Sequence, residues 1–235
     1  MAVVGVIGGG QLARMMIPAA VALGIELRVL AEAPDSSARL AATAVGDYRD
    51  VGTVLAFAEG CDVITFDHEH VPQEVLRALV AAGAAVRPGP DALLYAQDKL
   101  MMRERLAGLG VPQPDWARVE SADDLAGFLA DHGGRAVVKT PRGGYDGKGV
   151  RVVVDAHGAD DWLADGPVLA EELVRFEREL AQLIARRPSG DARPWPLVET
   201  VQRGGVCAEV LAPAPQKTVS VQRAAAEIAT TVAHG

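Results

Sequence analysis

The stretch with the most potential for chemistry is glycine-rich and basic. It runs from Lys139 to Val150 and reads Lys-Thr-Pro-Arg-Gly-Gly-Tyr-Asp-Gly-Lys-Gly-Val. It is not a Walker A loop, because no Ser or Thr follows Lys148 and a strand, not a helix, is expected next. A glycine-rich loop between antiparallel strands can fold over a polyphosphate, whose oxygens its N–H groups bind while water is excluded. Lys139 can place its ammonium on the same phosphates; the alternative is a hairpin with a basic tip.

A second glycine motif lies near the N-terminus, where Gly8-Gly9-Gly10-Gln11-Leu12-Ala13 follows an apolar strand and precedes a helix. It fits the G-x-G-x-x-G/A dinucleotide pattern, with the acidic Glu32 about twenty residues further on. Glycines let a phosphate approach the backbone, and the helix N-terminus supplies N–H groups and a positive dipole end. The motif therefore predicts a phosphate. It leaves open NAD(P), another phosphorylated small molecule, or a purely structural turn.

An acidic cluster, Asp67-His68-Glu69-His70, follows the third predicted strand. In an extended segment the two histidines share one face and the two carboxylates the other, so four ligands cannot converge on a metal without a turn. The carboxyl ends of parallel strands are where α/β domains bind ligands. A carboxylate reaching sugar hydroxyls is thus one interpretation, with a metal site or a solvated loop as the alternatives.

The first ninety residues alternate between strand and helix patterns. The strands are expected at Val3–Ile7, Ile25–Leu30, Asp62–Phe66 and Ala84–Arg87, and the helices at Gln11–Leu23, Asp50–Ala58 and Pro72–Ala82. This alternation is typical of a parallel α/β sheet.

After Pro88-Gly89-Pro90 the pattern is helical over Asp91–Leu109 and then changes. A strand starts at Trp116, Ser121 caps a helix that runs through Leu129, and the chain ends in a helical pattern over Gln216–Ala233. Further strands are expected at Ala136–Thr140, Val150–Val154, Val168–Leu173, Glu177–Arg186, Leu197–Gln202 and Val206–Leu211.

Composition excludes several classes of protein. The 235 residues are 49% hydrophobic with a net charge of −8, which argues against a disordered chain. A pI near 5.1 argues against a general nucleic-acid or anionic-membrane binder. No signal-peptide pattern and no run of about 18 apolar residues is present. Cys61 and Cys207 lie outside any disulfide or zinc spacing, so we expect reduced, mostly buried thiols in a soluble cytoplasmic protein.

Four features together resemble the ATP-grasp enzymes, and among them those that carboxylate 5-aminoimidazole ribonucleotide in purine biosynthesis. They are the strand leading into Gly8-Gly9-Gly10-Gln11-Leu12, the segment Asp62 to Pro72, Gln97-Asp98-Lys99, and Gly143 to Gly149. The resemblance implies an α/β fold of ATP-grasp architecture in three parts. These are an N-terminal parallel, Rossmann-like pre-ATP-grasp domain (1–90), linker helices with a central lid and its glycine-rich loop (91–172), and a partial C-terminal α+β ATP-grasp domain (173–235).

The resemblance implies that ATP phosphorylates bicarbonate, and that the carboxyphosphate or its released CO2 carboxylates the acceptor amine. Tyr145 and Asp146 are then the catalytic residues beside that amine, where a carboxylate could orient it and accept its proton. The implied acceptor contacts are Gly8, Gly10, Gln11, Leu12 and Glu69. The implied ATP contacts are Lys99, Lys139, Gly144, Tyr145, Asp146, Gly147, Lys148, Gly149, Val150, Glu171, Glu172, Leu173, Val174, Glu179 and Gln202.

The sequence also departs from the family pattern. Lys99 stands where the family commonly has Arg, and Gln202 where it commonly has His, which puts the nucleotide contact there in doubt. The acidic Mg²⁺ ligands of the family have no counterpart before Gly235; Glu209 and Glu227 are in the wrong context, so no metal ligand is assigned. We therefore expect a C-terminally truncated chain that uses ATP with Mg²⁺ and forms a homodimer, with no nucleic-acid or membrane partner. The alternatives are an NAD(P)-dependent oxidoreductase that uses Glu32, or a non-catalytic nucleotide-binding module.

Overall fold

The structure is a computed structural model that describes residues 1–144, 147–216 and 218–235. These residues form two compact units, Met1–Gln97 and Asp98–Gly235. The three-domain division with boundaries at residues 90 and 172 stays a prediction. No helix in the described ranges is long and apolar enough to cross a membrane.

The first unit contains a four-stranded parallel sheet with the strand order β3-β2-β1-β4. Its strands are β1 (Val3–Ile7), β2 (Glu26–Ala31), β3 (Ala42–Val45) and β4 (Val63–Phe66). Its helices are α1 (Gln11–Leu23), α2 (Val51–Ala58), α3 (Gln73–Ala81) and α4 (Pro90–Gln97). The predicted parallel sheet is thus confirmed, and the ends of β1 and β4 bring the first glycine motif next to the acidic cluster.

One prediction for this unit was wrong, because residues Ala84–Arg87 form no strand and make only an isolated parallel bridge between Ile64 and Val86. The linker helices predicted over Asp91–Leu109 are present as two helices, which the extended backbone of Asp98 (φ −133°, ψ 110°) separates. The short strand β3 had not been predicted, because Ala-Thr-Ala-Val has little alternation.

The second unit is built around a four-stranded antiparallel sheet with the order β5-β8-β6-β7. Its strands are β5 (Trp116–Val119), β6 (Ala136–Lys139), β7 (Val150–Val153) and β8 (Val168–Glu172), and its helices are α5 (Lys99–Gly108), α6 (Ala122–Asp131) and the short α7 (Asp160–Leu163). Buried Ala136 and Val138 of β6 pack with α6 in one core cluster. Because side chains alternate along a strand, Val137 and Lys139 lie on the opposite face.

The rest of this unit comprises a three-stranded antiparallel sheet, a hairpin and a final helix. The sheet has the order β13-β12-β9 and consists of β9 (Glu179–Ala181), β12 (Val198–Arg203) and β13 (Val206–Leu211). The hairpin pairs β10 (Ile184–Arg186) with β11 (Ala192–Pro194), and α8 spans Val219–His234. The single strand predicted over Glu177–Arg186 is therefore two strands in different sheets.

The expectation of buried cysteines was wrong for Cys207, which is exposed on β13, while Cys61 is half-buried. Every residue of β13 is exposed, and the strand lies at the edge of its small sheet. The apolar pattern of this strand therefore did not indicate burial.

The core under the four-stranded antiparallel sheet can be tested at Leu125, whose side chain is fully buried on α6. We expect Leu125→Ala to lower the free energy of unfolding by about 2–5 kcal/mol, since it removes buried methylenes and leaves a cavity. The matched change Leu183→Ala, at a side chain that is 56% exposed, should cost no more than about 0.5 kcal/mol. Urea unfolding of the two variants measures both values, and equal losses would contradict this assignment of the core.

Candidate functional site

The base of the glycine-rich loop is tied to the N-terminus of α5. The Lys99 N–H donates to the Pro141 carbonyl oxygen at 2.9 Å, and the Lys99 ammonium donates to the Gly143 carbonyl oxygen at 2.8 Å. The Arg142 guanidinium pairs with the Asp98 carboxylate at 3.0 Å. Asp98 and Lys99 of the predicted Gln97-Asp98-Lys99 motif therefore contribute to the site by holding the residues from which the loop starts.

The loop itself folds back closely, so glycine is required within it. Gly144 has a φ of +74°, and a Cβ there would lie 2.4 Å from the Lys148 carbonyl oxygen. Gly147 to Gly149 form the turn that leads into β7 at Val150. The predicted catalytic residues Tyr145 and Asp146 lie outside the described residues.

Lys139 and Glu171 meet on the face of the sheet opposite the α6 core. The Lys139 ammonium donates to Glu171 Oε2 at 2.6 Å, and Arg103 of α5 donates to Glu171 Oε1 through Nε at 2.8 Å and Nη2 at 2.6 Å. The Glu171 side chain is only 7% exposed. The sequence predicted Lys139 and Glu171 as ATP contacts, whereas Arg103 had been missed because an arginine on a helix usually faces solvent.

The remaining predicted nucleotide contacts lie along the chain from the end of β8. Glu172 ends β8, and Leu173 and Val174 are partly exposed in the connection that leads to β9. Glu179 begins β9 and is paired with Thr200 of β12, the strand that also carries Gln202. The structure thus places Glu179 and Gln202 on neighbouring strands of the three-stranded sheet.

In the first unit, carboxylates accept from two N–H groups of the glycine turn, those of Gly9 and Gly10. Asp67 accepts from the Gly10 N–H at 2.8 Å and from the Ala13 N–H at 2.6 Å, and Glu32 accepts from the Gly9 N–H at 3.0 Å. A Cβ on Gly10 would lie 2.1 Å from Asp67 Oδ2. The glycine at this position is therefore explained by the approach of a side chain of the protein itself, and Asp67 caps α1.

The predicted acceptor contacts surround this turn. Gln11 and Leu12 are exposed on the first turn of α1, with Leu12 58% exposed. Glu69 is half-buried, and its carbonyl oxygen accepts from the Gln97 side-chain amide at 2.8 Å, which also donates to the Val71 carbonyl oxygen at 2.7 Å. Gln97 thus shapes the loop that carries Glu69, a role the sequence alone did not reveal.

Metal binding by the acidic cluster finds no support in the geometry. Within residues 1–144, 147–216 and 218–235, no group of three or more His, Cys, Asp or Glu side chains is placed to hold a metal ion. The His68 ring instead contacts Glu32 at 3.2 Å, and Asp67 is engaged with backbone N–H groups.

The fold and these sites define a class of protein. A family model described as an ATP-grasp domain matches residues 104–235, and one described as a ribonucleotide synthetase preATP-grasp domain matches residues 1–97. The chain belongs to the ATP-grasp family, which confirms the predicted fold class and the predicted resemblance.

The relatives are more specific. The N5-carboxyaminoimidazole ribonucleotide synthase of Mycobacterium tuberculosis is 47% identical over 98% of this chain and 55% of its own length, and that of Corynebacterium ammoniagenes is 47% identical over 99% and 58%. Among solved structures, the Thermus thermophilus N5-carboxyaminoimidazole ribonucleotide synthetase has a TM-score of 0.88 at 34% identity, covering 97% of this chain and 62% of that one. The Aspergillus clavatus enzyme, solved with ADP and 5-aminoimidazole ribonucleotide, has a TM-score of 0.85 at 28% identity, covering 98% and 62%. This chain thus spans little more than half the length of the curated relatives it matches.

The hydrogen bonds at the glycine turn shift the titration of Glu32. Partial burial acts to raise the pKa of this carboxyl, but hydrogen bonds from the Gly9 N–H and from His68 outweigh it and hold the pKa below its ordinary value. A carboxyl with a depressed pKa stabilises the fold above its unfolded-state pKa, and this stabilisation is lost as the pH falls through the folded-state pKa.

We therefore expect Glu32→Gln to lower the unfolding free energy near neutral pH, with the difference from the parent protein shrinking below about pH 4.3, the ordinary value for Glu. Urea unfolding at several pH values measures the difference. Asp35→Asn, at an exposed acid a few residues along the chain, serves as the control and should show no such trend. A difference that is constant with pH would contradict the hydrogen-bond role of Glu32.

Proposed function

We propose that the chain belongs to an ATP- and bicarbonate-dependent ligase that carboxylates 5-aminoimidazole ribonucleotide to N5-carboxyaminoimidazole ribonucleotide. The observation that carries this proposal is the combination of the glycine-rich loop, anchored on α5, with Lys139 on the strand that leads into it. Such a loop with adjacent cations suits a polyphosphate. The relatives named for this reaction and the ATP-grasp family assignment support it.

In this proposal the second unit binds ATP. Lys99, Lys139 and Lys148 and the backbone from Gly144 to Val150 contact the phosphates. The backbone from Glu171 to Val174 contacts the adenine. β8 is paired on both sides as far as Glu172, so Leu173 and Val174, which follow the strand, are the residues that offer N–H and C=O groups to the base. Glu179 accepts hydrogen bonds from the ribose hydroxyls, and Gln202 on the neighbouring strand is a further nucleotide contact.

Gly8, Gly10, Gln11, Leu12 and Glu69 bind the ribonucleotide acceptor. Tyr145 and Asp146 approach its amine, where Asp146 orients the nitrogen and accepts its proton as the N–C bond to the carboxyl carbon forms. The phosphate that ATP transferred to bicarbonate leaves as inorganic phosphate, either in this step as the C–O bond of carboxyphosphate breaks, or before it when carboxyphosphate releases CO2. The resemblance is the support for Mg²⁺ as the counter-ion of ATP, for a homodimer and for a cytoplasmic location. The described residues offer no ligand set for Mg²⁺, so no step is assigned to it.

A non-catalytic nucleotide-binding module is the second candidate, because the same loop and lysines would bind ATP without turnover. The oxidoreductase alternative requires Glu32 as a ribose ligand, but in the structure this carboxylate accepts from the Gly9 N–H and contacts His68. Calorimetric titration with ATP and with NADH separates these candidates. Binding of NADH without binding of ATP would overturn the proposal.

The reaction itself is tested by the release of ADP that depends on both bicarbonate and 5-aminoimidazole ribonucleotide. We expect Asp146→Asn to lower this rate by about 100-fold or more, as is typical for loss of a general base, while ATP affinity stays unchanged. Asp123→Asn, at an exposed acid on the first turn of α6, is the matched control and should keep the parent rate. An Asp146→Asn variant with the parent rate would contradict the role of Asp146, and ATP binding without ADP release in the parent would favour the non-catalytic candidate.

The acceptor site makes a second test possible. If the ribonucleotide phosphate binds at the N-terminus of α1, it replaces the Asp67 carboxylate on the Gly10 and Ala13 N–H groups. We expect Asp67→Ala to raise the affinity for 5-aminoimidazole ribonucleotide by about tenfold, because a competing anion is removed, and to lower the unfolding free energy by about 0.5–2 kcal/mol through loss of the cap.

Isothermal titration with the ribonucleotide and with its nucleoside measures this effect. The gain should be absent for the nucleoside, which has no phosphate, and absent in the control Asp35→Ala. Unchanged or lower affinity for the ribonucleotide would place its phosphate away from the α1 N-terminus.

A further inference from the structure

The buried carboxylate of Glu171 has two cationic partners that occupy different oxygens. Arg103 donates to Oε1 through both Nε and Nη2, while Lys139 donates to Oε2. Two cations and one carboxylate leave a surplus of one positive charge within this group of three side chains. The group is called here the Arg103–Glu171–Lys139 triad.

The two cations are held differently. The Arg103 side chain is 13% exposed and is fixed further by Gln113, which accepts from Nη1 at 3.2 Å and donates through its amide to the Arg103 carbonyl oxygen at 3.1 Å. The Lys139 side chain is 25% exposed, and within residues 1–144, 147–216 and 218–235 its ammonium hydrogen-bonds to Glu171 alone. Lys139, and not Arg103, is therefore the cation that can leave Glu171 and pair with another anion.

A buried carboxylate is costly to leave without a cation. If Lys139 were its sole partner, a phosphate that recruits the lysine would leave Glu171 buried and unpaired. With Arg103 in place, the lysine can turn to a phosphate while the carboxylate keeps two charge-assisted hydrogen bonds. We propose that Arg103 is a positioning residue that keeps Glu171 paired, so that the Lys139 ammonium is available to a nucleotide phosphate.

This inference rests on the proposed binding of ATP, and it gives the Glu171 side chain a role separate from that of its backbone. The Glu171 backbone is assigned to the adenine, whereas its carboxylate pairs with the Lys139 ammonium while no nucleotide is bound. The register supports this role, because Glu171 pairs with Val137 and Lys139 with Leu169, so the two side chains are diagonal neighbours on one face.

The test compares the affinities for ATP and for adenosine, since their ratio reports the phosphate contacts alone. In Arg103→Met, ATP binding must break the last ion pair of Glu171, so the preference for ATP over adenosine should fall by about tenfold, which corresponds to 1.4 kcal/mol. In the double variant Arg103→Met/Glu171→Gln, no carboxylate holds the Lys139 ammonium. The preference for ATP over adenosine should therefore return to at least the parent value. This is a double-mutant cycle on residues in direct contact.

Two further variants keep the test decisive. Arg118→Met removes an exposed cation from β5 of the same sheet, which pairs with Glu120 and not with the triad, and it should leave the preference unchanged. Glu171→Gln alone should raise the preference for ATP, because it releases Lys139; a merely destabilising change would not produce that gain, so this variant remains informative if Arg103→Met fails to fold.

The outcomes separate the two levels of the proposal. A parent protein that shows no preference for ATP over adenosine overturns the proposed function itself. A parent that prefers ATP, with Glu171→Gln unchanged or weaker in that preference, overturns the role of the triad and leaves ATP binding standing. An equal fall in Arg103→Met and Arg118→Met also overturns it, because net charge alone would then explain the effect.

Discussion

The Asp98 carboxylate is the contact on which the second unit depends most. One of its oxygens accepts from the Leu100 and Met101 N–H groups at 3.0 and 3.1 Å and so begins α5, and the other pairs with Arg142 at the base of the glycine-rich loop. Only 9% of Asp98 is exposed. Because α5 also carries Lys99 and Arg103, this one side chain sets the position of the helix that holds the loop and of the helix residue that pairs with Glu171.

Glycine is needed for a different reason in each of the two glycine motifs, although both motifs are candidate phosphate-binding sites. At the first, Asp67 accepts from the Gly10 and Ala13 N–H groups, so a side chain of the protein itself occupies part of the α1 N-terminus. At the second, the loop is anchored at its base and curls back so closely that a side chain at Gly144 would strike the Lys148 carbonyl oxygen. A glycine pattern thus predicts a close approach to the backbone, but the approaching group can be part of the protein itself.

Much of the fold could be predicted from local patterns, because the apolar runs and cap residues act within a few positions. The strands Val3–Ile7 and Val206–Leu211 and the cap at Ser121 are examples that the structure confirms. The details that were missed depend on partners far along the chain. Asp67 caps a helix 57 residues away, and Arg103 meets Glu171 68 residues away, so no spacing rule points to either pair. Lys139 and the glycine-rich loop could be identified from the sequence because the residues that would bind a phosphate follow one another in one continuous stretch.

The charge balance explains how an acidic protein can offer a site for a polyanion. The net charge of −8 would repel ATP at long range, but screening at physiological salt limits that repulsion to about 8 Å. Within that distance the local net charge decides whether a polyanion is attracted. In the triad this local charge is positive, because two cations share one carboxylate. Burial matters as much as sign, since partly buried charges are screened less than exposed ones. Solvent and salt would weaken the attraction between an exposed lysine on this acidic surface and a phosphate. A lysine beside a buried, already paired carboxylate instead stays ordered and close to where a phosphate would bind.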